Sequence, residues 1–135
     1  MSKILEMQRN KEPNMNSVLI IEDDEFVMNM LKQTFERAGY EVGTASNGRI
    51  GLQLYQCKPF DVVITDLIMP DMEGIETISK LRKDDPTVKV IAISGGGRNS
   101  PDDYLHLAKK LGADRTFSKP VDRNELLAAV KDLVE

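Results

Sequence analysis

The sequence of 135 residues holds one cysteine, Cys57, and no tryptophan. One thiol excludes an internal disulfide and a cysteine-built metal site, and it accords with a reducing, cytoplasmic location. Aromatics are few, four Phe and three Tyr, which argues against a base-stacking nucleic-acid platform. There is no basic stripe: 18 Lys and Arg stand against 22 Asp and Glu, a net charge of −4, so direct binding of phosphate backbones is not expected. Long apolar runs are lacking too. Val18-Leu19-Ile20-Ile21 is a typical one, against the roughly 20 residues that a membrane-spanning helix needs. Residues 1–16 have no apolar core of a signal peptide. What remains, at 41% hydrophobic, is enough to build one domain with a real core and no membrane association.

Residues 1–16 read as a flexible N-terminal extension, because Pro13 and its neighbouring Asn residues break the weak helical pattern of Ile4, Leu5 and Met7. From residue 17 to 135 a strand-then-helix unit repeats. Val18–Ile21 is a β-branched run suited to a strand buried on both faces. Asp24 can then cap a helix carrying Val27, Met30, Leu31, Thr34 and Ala38, closed by Gly39. Tyr40–Ala45 is a weaker strand, followed by a helix opened by Asn47. Phe60–Thr65 is a second fully buried strand, and Ile75, Ile78 and Leu81 mark the helix after it. Val88–Ser94 precedes a glycine-rich loop and a helix with Leu105, Ala108 and Leu111, ended by Gly112. Arg115–Ser118 is a short last strand, and Pro120 and Asp122 introduce a final helix with Leu126, Leu127, Val130 and Leu133 on one face. Five strands alternating with five helices predict an α/β fold with a parallel sheet covered on both sides. In such sheets ligands bind at the carboxyl ends of the strands, at the topological switch point.

The residues at those ends carry chemistry. Glu22, Asp23 and Asp24 follow the first strand, Asp66 the third, Ser94 the fourth, and Lys119-Pro120 the fifth. Carboxylates brought together repel unless a cation intervenes. An all-oxygen set suits Mg²⁺, with Mn²⁺ as a substitute. A lysine and a hydroxyl opposite suit an anion with several oxygens, such as a phosphoryl group. Asp66, held on a rigid strand end, is placed to attack phosphorus and form an aspartyl phosphate. Singly, each residue has a plainer explanation: an acid at a helix start favours the helix dipole, and Ser94 or Lys119-Pro120 could be turn residues. Their joint placement makes the pattern specific. His106, in a polar helical stretch, reads as a surface residue, and Cys57 as incidental.

Over roughly Ser17 to Glu135 the chain resembles a response-regulator receiver domain of two-component signalling. The motifs are VLIIEDDE, VVITDLIMPDMEG, IAISG and FSKP, of which Asp66, Met69, Pro70 and Gly74 form the most specific part. The resemblance implies a flavodoxin-like, doubly wound five-stranded parallel sheet of order 2-1-3-4-5. It implies Asp66 as phosphoacceptor, and Asp23, Asp66 and the Ile68 backbone carbonyl as ligands of Mg²⁺, with Glu22 acting through water. Ser94 matches the switch hydroxyl and Lys119 the phosphoryl-pairing lysine, with a cis peptide bond before Pro120. The donor would be a sensor histidine kinase or a phosphotransfer protein, the output an effector that the sequence does not name, and a phosphorylation-dependent homodimer is compatible with the family. Such a chain is a signalling switch rather than an enzyme, apart from its own phosphorylation and dephosphorylation.

Three positions depart from the family pattern. The aromatic switch position holds Thr116, and Phe117 beside it should face the core. Ile68 and Gly96 offer no polar side chain to orient a hydrolytic water, so a comparatively long-lived phosphoryl group is expected. Gly95-Gly96-Gly97 makes the loop after the fourth strand permissive. Two rivals share the fold logic. A pseudo-receiver would serve as an interaction module without phosphorylation, though Asp23, Asp66, Ser94 and Lys119 together speak against it. A haloacid-dehalogenase-like phosphatase would need a second Asp where Ile68 stands.

Overall fold

The computed structural model describes residues 16–67, 74–94, 106 and 108–135. Its elements run β1 (Ser17–Ile21), α1 (Glu25–Arg37), β2 (Glu41–Ala45), α2 (Gly48–Cys57), β3 (Val62–Asp66), α3 (Gly74–Asp84), β4 (Lys89–Ser94), a helix α4, β5 (Arg115–Ser118) and α5 (Arg123–Val134). Of α4, residues 106 and 108–110 are described. The five strands are all parallel, in the order β2-β1-β3-β4-β5. The doubly wound architecture expected from the alternating pattern is therefore the observed one.

Local chemistry sets the helix ends. Asp24, Asn47 and Asp122 are extended N-cap residues whose side chains accept from the first free N–H groups of α1, α2 and α5, satisfying donors that the helix leaves unpaired. Past α1 and α4, Gly39 and Gly112 take φ of 96° and 105°, a left-handed conformation that side chains disfavour. The third strand starts two residues later and ends one residue later than its apolar run suggests, from Val62 to Asp66, the last because Asp66 still pairs with Ile93 in the ladder. Ahead of it Asp61 secures the start of β1, accepting from the Ser17 N–H at 2.8 Å.

Strand alternation sorts the apolar side chains into two cores. Leu19, Ile21, Val63, Val90 and Ala92 pack with Tyr55, Ile78, Leu81 and Ala108, on the side of α2, α3 and α4. Val18, Ile20, Val62, Ile64, Ile91 and Ile93 pack with Leu31, Phe35, Leu126 and Val130 of α1 and α5. Burial of both faces explains why β1, β3 and β4 read as continuous apolar runs. Phe117 joins the second core, half-buried, as its place in the strand predicts. His106 is exposed, as is Cys57. Among the described residues no helix is long and apolar enough to cross a membrane.

Candidate functional site

Strand order reverses between β1 and β3, and their carboxyl ends lie side by side. Here the backbone itself is tightly held. The Glu22 N–H donates to the Ala45 carbonyl at 2.9 Å, Leu67 N–H to Ile93 at 2.9 Å and Lys119 N–H to Ser94 at 2.9 Å. Glu22, Asp23 and Asp66 bring one carboxylate oxygen each within 4.8 Å of one another. Lys119 reaches across from the end of β5: its Nζ lies 2.8 Å from Asp66 Oδ2 and 3.4 Å from Glu22 Oε1. Glu22 and Asp66 are buried and Asp23 is exposed, so the group has a closed floor and an open mouth.

Its electrostatics follow from that arrangement. Burial pushes the Glu22 carboxyl up from 4.5 to about 7, and the Asp66 charge adds to the rise; the Asp24 N–H, donating to Oε2 at 3.0 Å, and the Lys119 ammonium oppose it. Burial pulls the Lys119 ammonium down, but its hydrogen bond to Asp66 and the charges of Asp66 and Glu22 win, leaving it above its ordinary value. One ammonium thus serves a cluster of three acids, two of them buried. The cluster carries surplus negative charge, and its donors are all oxygen. That fits a divalent cation of the Mg²⁺ class.

Ser94 completes the rim from β4. Its hydroxyl is fully buried and, among the described residues, has no hydrogen-bond partner. Asp24, by contrast, is spent on the helix: Oδ1 accepts from Phe26 N–H at 2.9 Å and Val27 N–H at 3.2 Å, as expected of a cap. Thr116 is half-buried on β5 and lines a hollow of about 220 Å³ with Lys109, Ala113, Asp114 and Arg115. Lys119–Pro120 is a cis peptide bond. Ile68, the expected carbonyl ligand, and Gly95-Gly96-Gly97 lie outside the described residues.

Two supports of Asp66 carry no individual signal in the sequence. The buried Thr65 hydroxyl donates to the Asp66 carbonyl at 3.0 Å. Gly74, at the start of α3, lies so close that an added Cβ would stand 2.2 Å from that same carbonyl oxygen and 2.5 Å from Leu67 Cα. Gly74 was visible only as part of a motif. That it must be glycine because a helix start abuts the end of β3 is a tertiary fact.

A family model described as the response regulator receiver domain matches residues 18–131. The chain belongs to the receiver-domain family. Receiver domains are phosphorylated signalling modules of two-component systems that bind Mg²⁺ through acidic residues and switch their contacts with partners. This receiver is 37% identical over 114 residues to chemotaxis protein CheY of Thermotoga maritima, covering 84% of this chain and 92% of that protein. It is 32% identical to sporulation initiation phosphotransferase F of Bacillus subtilis over 87% of this chain and 93% of the relative. The crystal structure of a response regulator receiver domain protein from Clostridium thermocellum superposes with a TM-score of 0.81 at 33% identity, over 88% of this chain and 94% of that one.

Proposed function

We propose that this receiver accepts a phosphoryl group on Asp66 from the phosphohistidine of a sensor histidine kinase or phosphotransfer protein. The observation that carries the reading is the Lys119–Asp66 pair at 2.8 Å, set beside Glu22 and Asp23 at the switch point of the sheet. An Asp66 carboxylate oxygen attacks phosphorus in line while the phosphorus–nitrogen bond to the donor histidine breaks, and the electron pair of that bond leaves with the imidazole. Asp23, Asp66 and the Ile68 carbonyl, with Glu22 behind them, would hold Mg²⁺, which supplies neutralisation of charge on the phosphoryl oxygens. Lys119 transfers its ammonium from the carboxylate to a phosphoryl oxygen, so the counter-charge stays within the site.

Ser94 gives the reaction its readout. Among the described residues the buried Ser94 hydroxyl has no partner; leaving such a group unpaired costs roughly 1–3 kcal/mol, and a phosphoryl oxygen on Asp66 would offer it an acceptor. Phosphorylation then favours the arrangement in which Ser94 is satisfied, a population shift of the two-state kind. The surface that reports this lies around α4 and β5, next to Ser94 and Lys119 in the chain, and is where an effector or a second copy would dock. For the donor, an apolar hollow of about 470 Å³ opens beside Glu22 and Lys119, walled by Val27, Met30, Pro120 and Val121. Phe26 stands 80% exposed two residues past Asp24. A protein donor can bury apolar surface at this place while its phosphohistidine reaches Asp66.

Intact mass after incubation with Mg²⁺ and acetyl phosphate tests the reading. A gain of one phosphoryl group is expected in the unsubstituted chain and none in Asp66→Asn or with EDTA. A gain that persists in Asp66→Asn would place the acceptor elsewhere. No gain, with no spectral response to Mg²⁺ and beryllofluoride, would make the chain a pseudo-receiver.

A further inference from the structure

The amino-terminal edge of the sheet, remote from the carboxylates, carries a second polar cluster that phosphoryl chemistry does not use. Arg82 lies in the last turn of α3 with its side chain 26% exposed. Its Nη1 donates to the carbonyls of Pro86 at 2.9 Å and Val88 at 2.6 Å. Its Nη2 donates to the Gly112 carbonyl and to Asp114 Oδ2, the latter at 3.3 Å. Gly112 is the left-handed residue after α4, and a Cβ there would stand 3.0 Å from Arg82 Nε. Glycine therefore lets the guanidinium lie flat against the turn. Asp114 is bound twice more, accepting from the Val90 N–H at 2.8 Å and donating its own N–H to the Val90 carbonyl at 2.7 Å.

One side chain thereby ties together the end of α3, the loop into β4, the turn after α4 and the start of β5. A planar fork of five donors can hold several carbonyls and a carboxylate in fixed directions, which an ammonium cannot do. The same two strands have their other ends at the site: Ser94 closes β4, and Lys119 follows β5 and donates its N–H to Ser94. β5 thus runs from a start fastened by Arg82 to an end that leads to Lys119 beside Asp66. Packed elements move as units between discrete arrangements, so the fastened end decides how such a unit can move.

We propose that Arg82 is the fixed pivot of the switch. It secures the α4–β5 turn to α3 and β4, so a rearrangement begun at Ser94 and Lys119 is taken up at the site-facing end and reaches the α4–β5 face as a tilt about the far turn. This rests on the phosphoacceptor reading above and adds to it which end of the output surface stays still.

Hydrogen–deuterium exchange of the full chain, with and without Mg²⁺ and beryllofluoride, tests the pivot. In the unsubstituted protein, peptides over residues 111–116 should change their exchange rate by less than about twofold, while peptides that include Asp66 or Ser94 change by about tenfold or more. Arg82→Gln and Arg82→Lys should gain a phosphoryl group as the unsubstituted protein does. In both, residues 111–116 should exchange about tenfold faster and become responsive to beryllofluoride. A response at 111–116 in the unsubstituted protein as large as that at Ser94 overturns the pivot. So does exchange in the variants that matches the unsubstituted protein. If one variant fails to fold, the other and the unsubstituted chain decide. A chain that takes up neither phosphoryl group nor beryllofluoride overturns the phosphoacceptor reading, and the pivot falls with it.

Discussion

Glu22 is an acid whose surroundings oppose its charge. With its folded pKa near 7 and its ordinary value at 4.5, the folded state holds a proton that the unfolded state has released over that interval. The resulting stabilisation is full below about pH 4.5 and is lost as pH rises through 7, so the ionised carboxylate weighs against folding at pH 8. In EDTA, Glu22→Gln should therefore be more stable to urea than the unsubstituted protein at pH 8, by up to about 3 kcal/mol, and the gap should narrow to under about 1 kcal/mol at pH 5. A gap independent of pH would show that burial of charge is not its cause. Ser94 makes the complementary case. Ser94→Ala removes a buried hydroxyl that has no partner among the described residues, so the unphosphorylated protein should keep its stability or gain up to about 1 kcal/mol. The same variant should bind beryllofluoride less tightly, since the group that rewards the phosphorylated arrangement is gone. Denaturant unfolding and a beryllofluoride titration read the two effects separately.

At the scale of elements, the junction of β3 and α3 sets the height of Asp66. Gly74 meets backbone atoms of Asp66 and Leu67, which cannot swing aside. Gly51, by contrast, faces the side-chain end of Ile21, where an added Cβ would stand 2.4 Å from Cδ1, and a side chain can turn away. Gly74→Ala should thus cost more stability than Gly51→Ala, on the order of 1–3 kcal/mol for such overpacking, and it alone should slow phosphorylation from acetyl phosphate. Equal rates in the two variants would mean that the close approach does not position Asp66. The start of α5 gives a simpler case. Asp122 Oδ1 accepts from Asn124 N–H at 2.8 Å and Glu125 N–H at 3.1 Å, so Asp122→Ala should lower stability by about 1 kcal/mol while phosphorylation is unchanged.

For the molecule as a whole, the acid cluster should make stability depend on divalent cation. An ion that binds only the folded chain adds about 2.7 kcal/mol at a hundredfold excess over its dissociation constant. Thermal unfolding in Mg²⁺ should thus occur at higher temperature than in EDTA, with the increment largely lost in Asp23→Asn. An equal increment in that variant would remove Asp23 from the metal site. The same cluster shows how differently two kinds of information were carried by the chain. The strand-then-helix order, the caps Asp24, Asn47 and Asp122, and the glycines past α1 and α4 depend on neighbours in sequence, and were legible there. So was the placement of Glu22, Asp23, Asp66, Ser94 and Lys119 at strand ends, because parallel connections of one hand send every carboxyl end to the same edge.

What the sequence by itself determined was the period of its apolar residues and the kind of group at each strand end, and these suffice for fold class and candidate site. Tertiary structure alone decided the energetics of that site. The rise of Glu22 comes from burial beside Asp66, and the fit of Lys119 between two acids spans residues far apart in the chain. The need for glycine at 74 and the fastening of two loops by Arg82 are likewise contacts across the fold. Periodicity is a local property of a chain, whereas desolvation, close approach and shared donors exist only once distant segments occupy the same space.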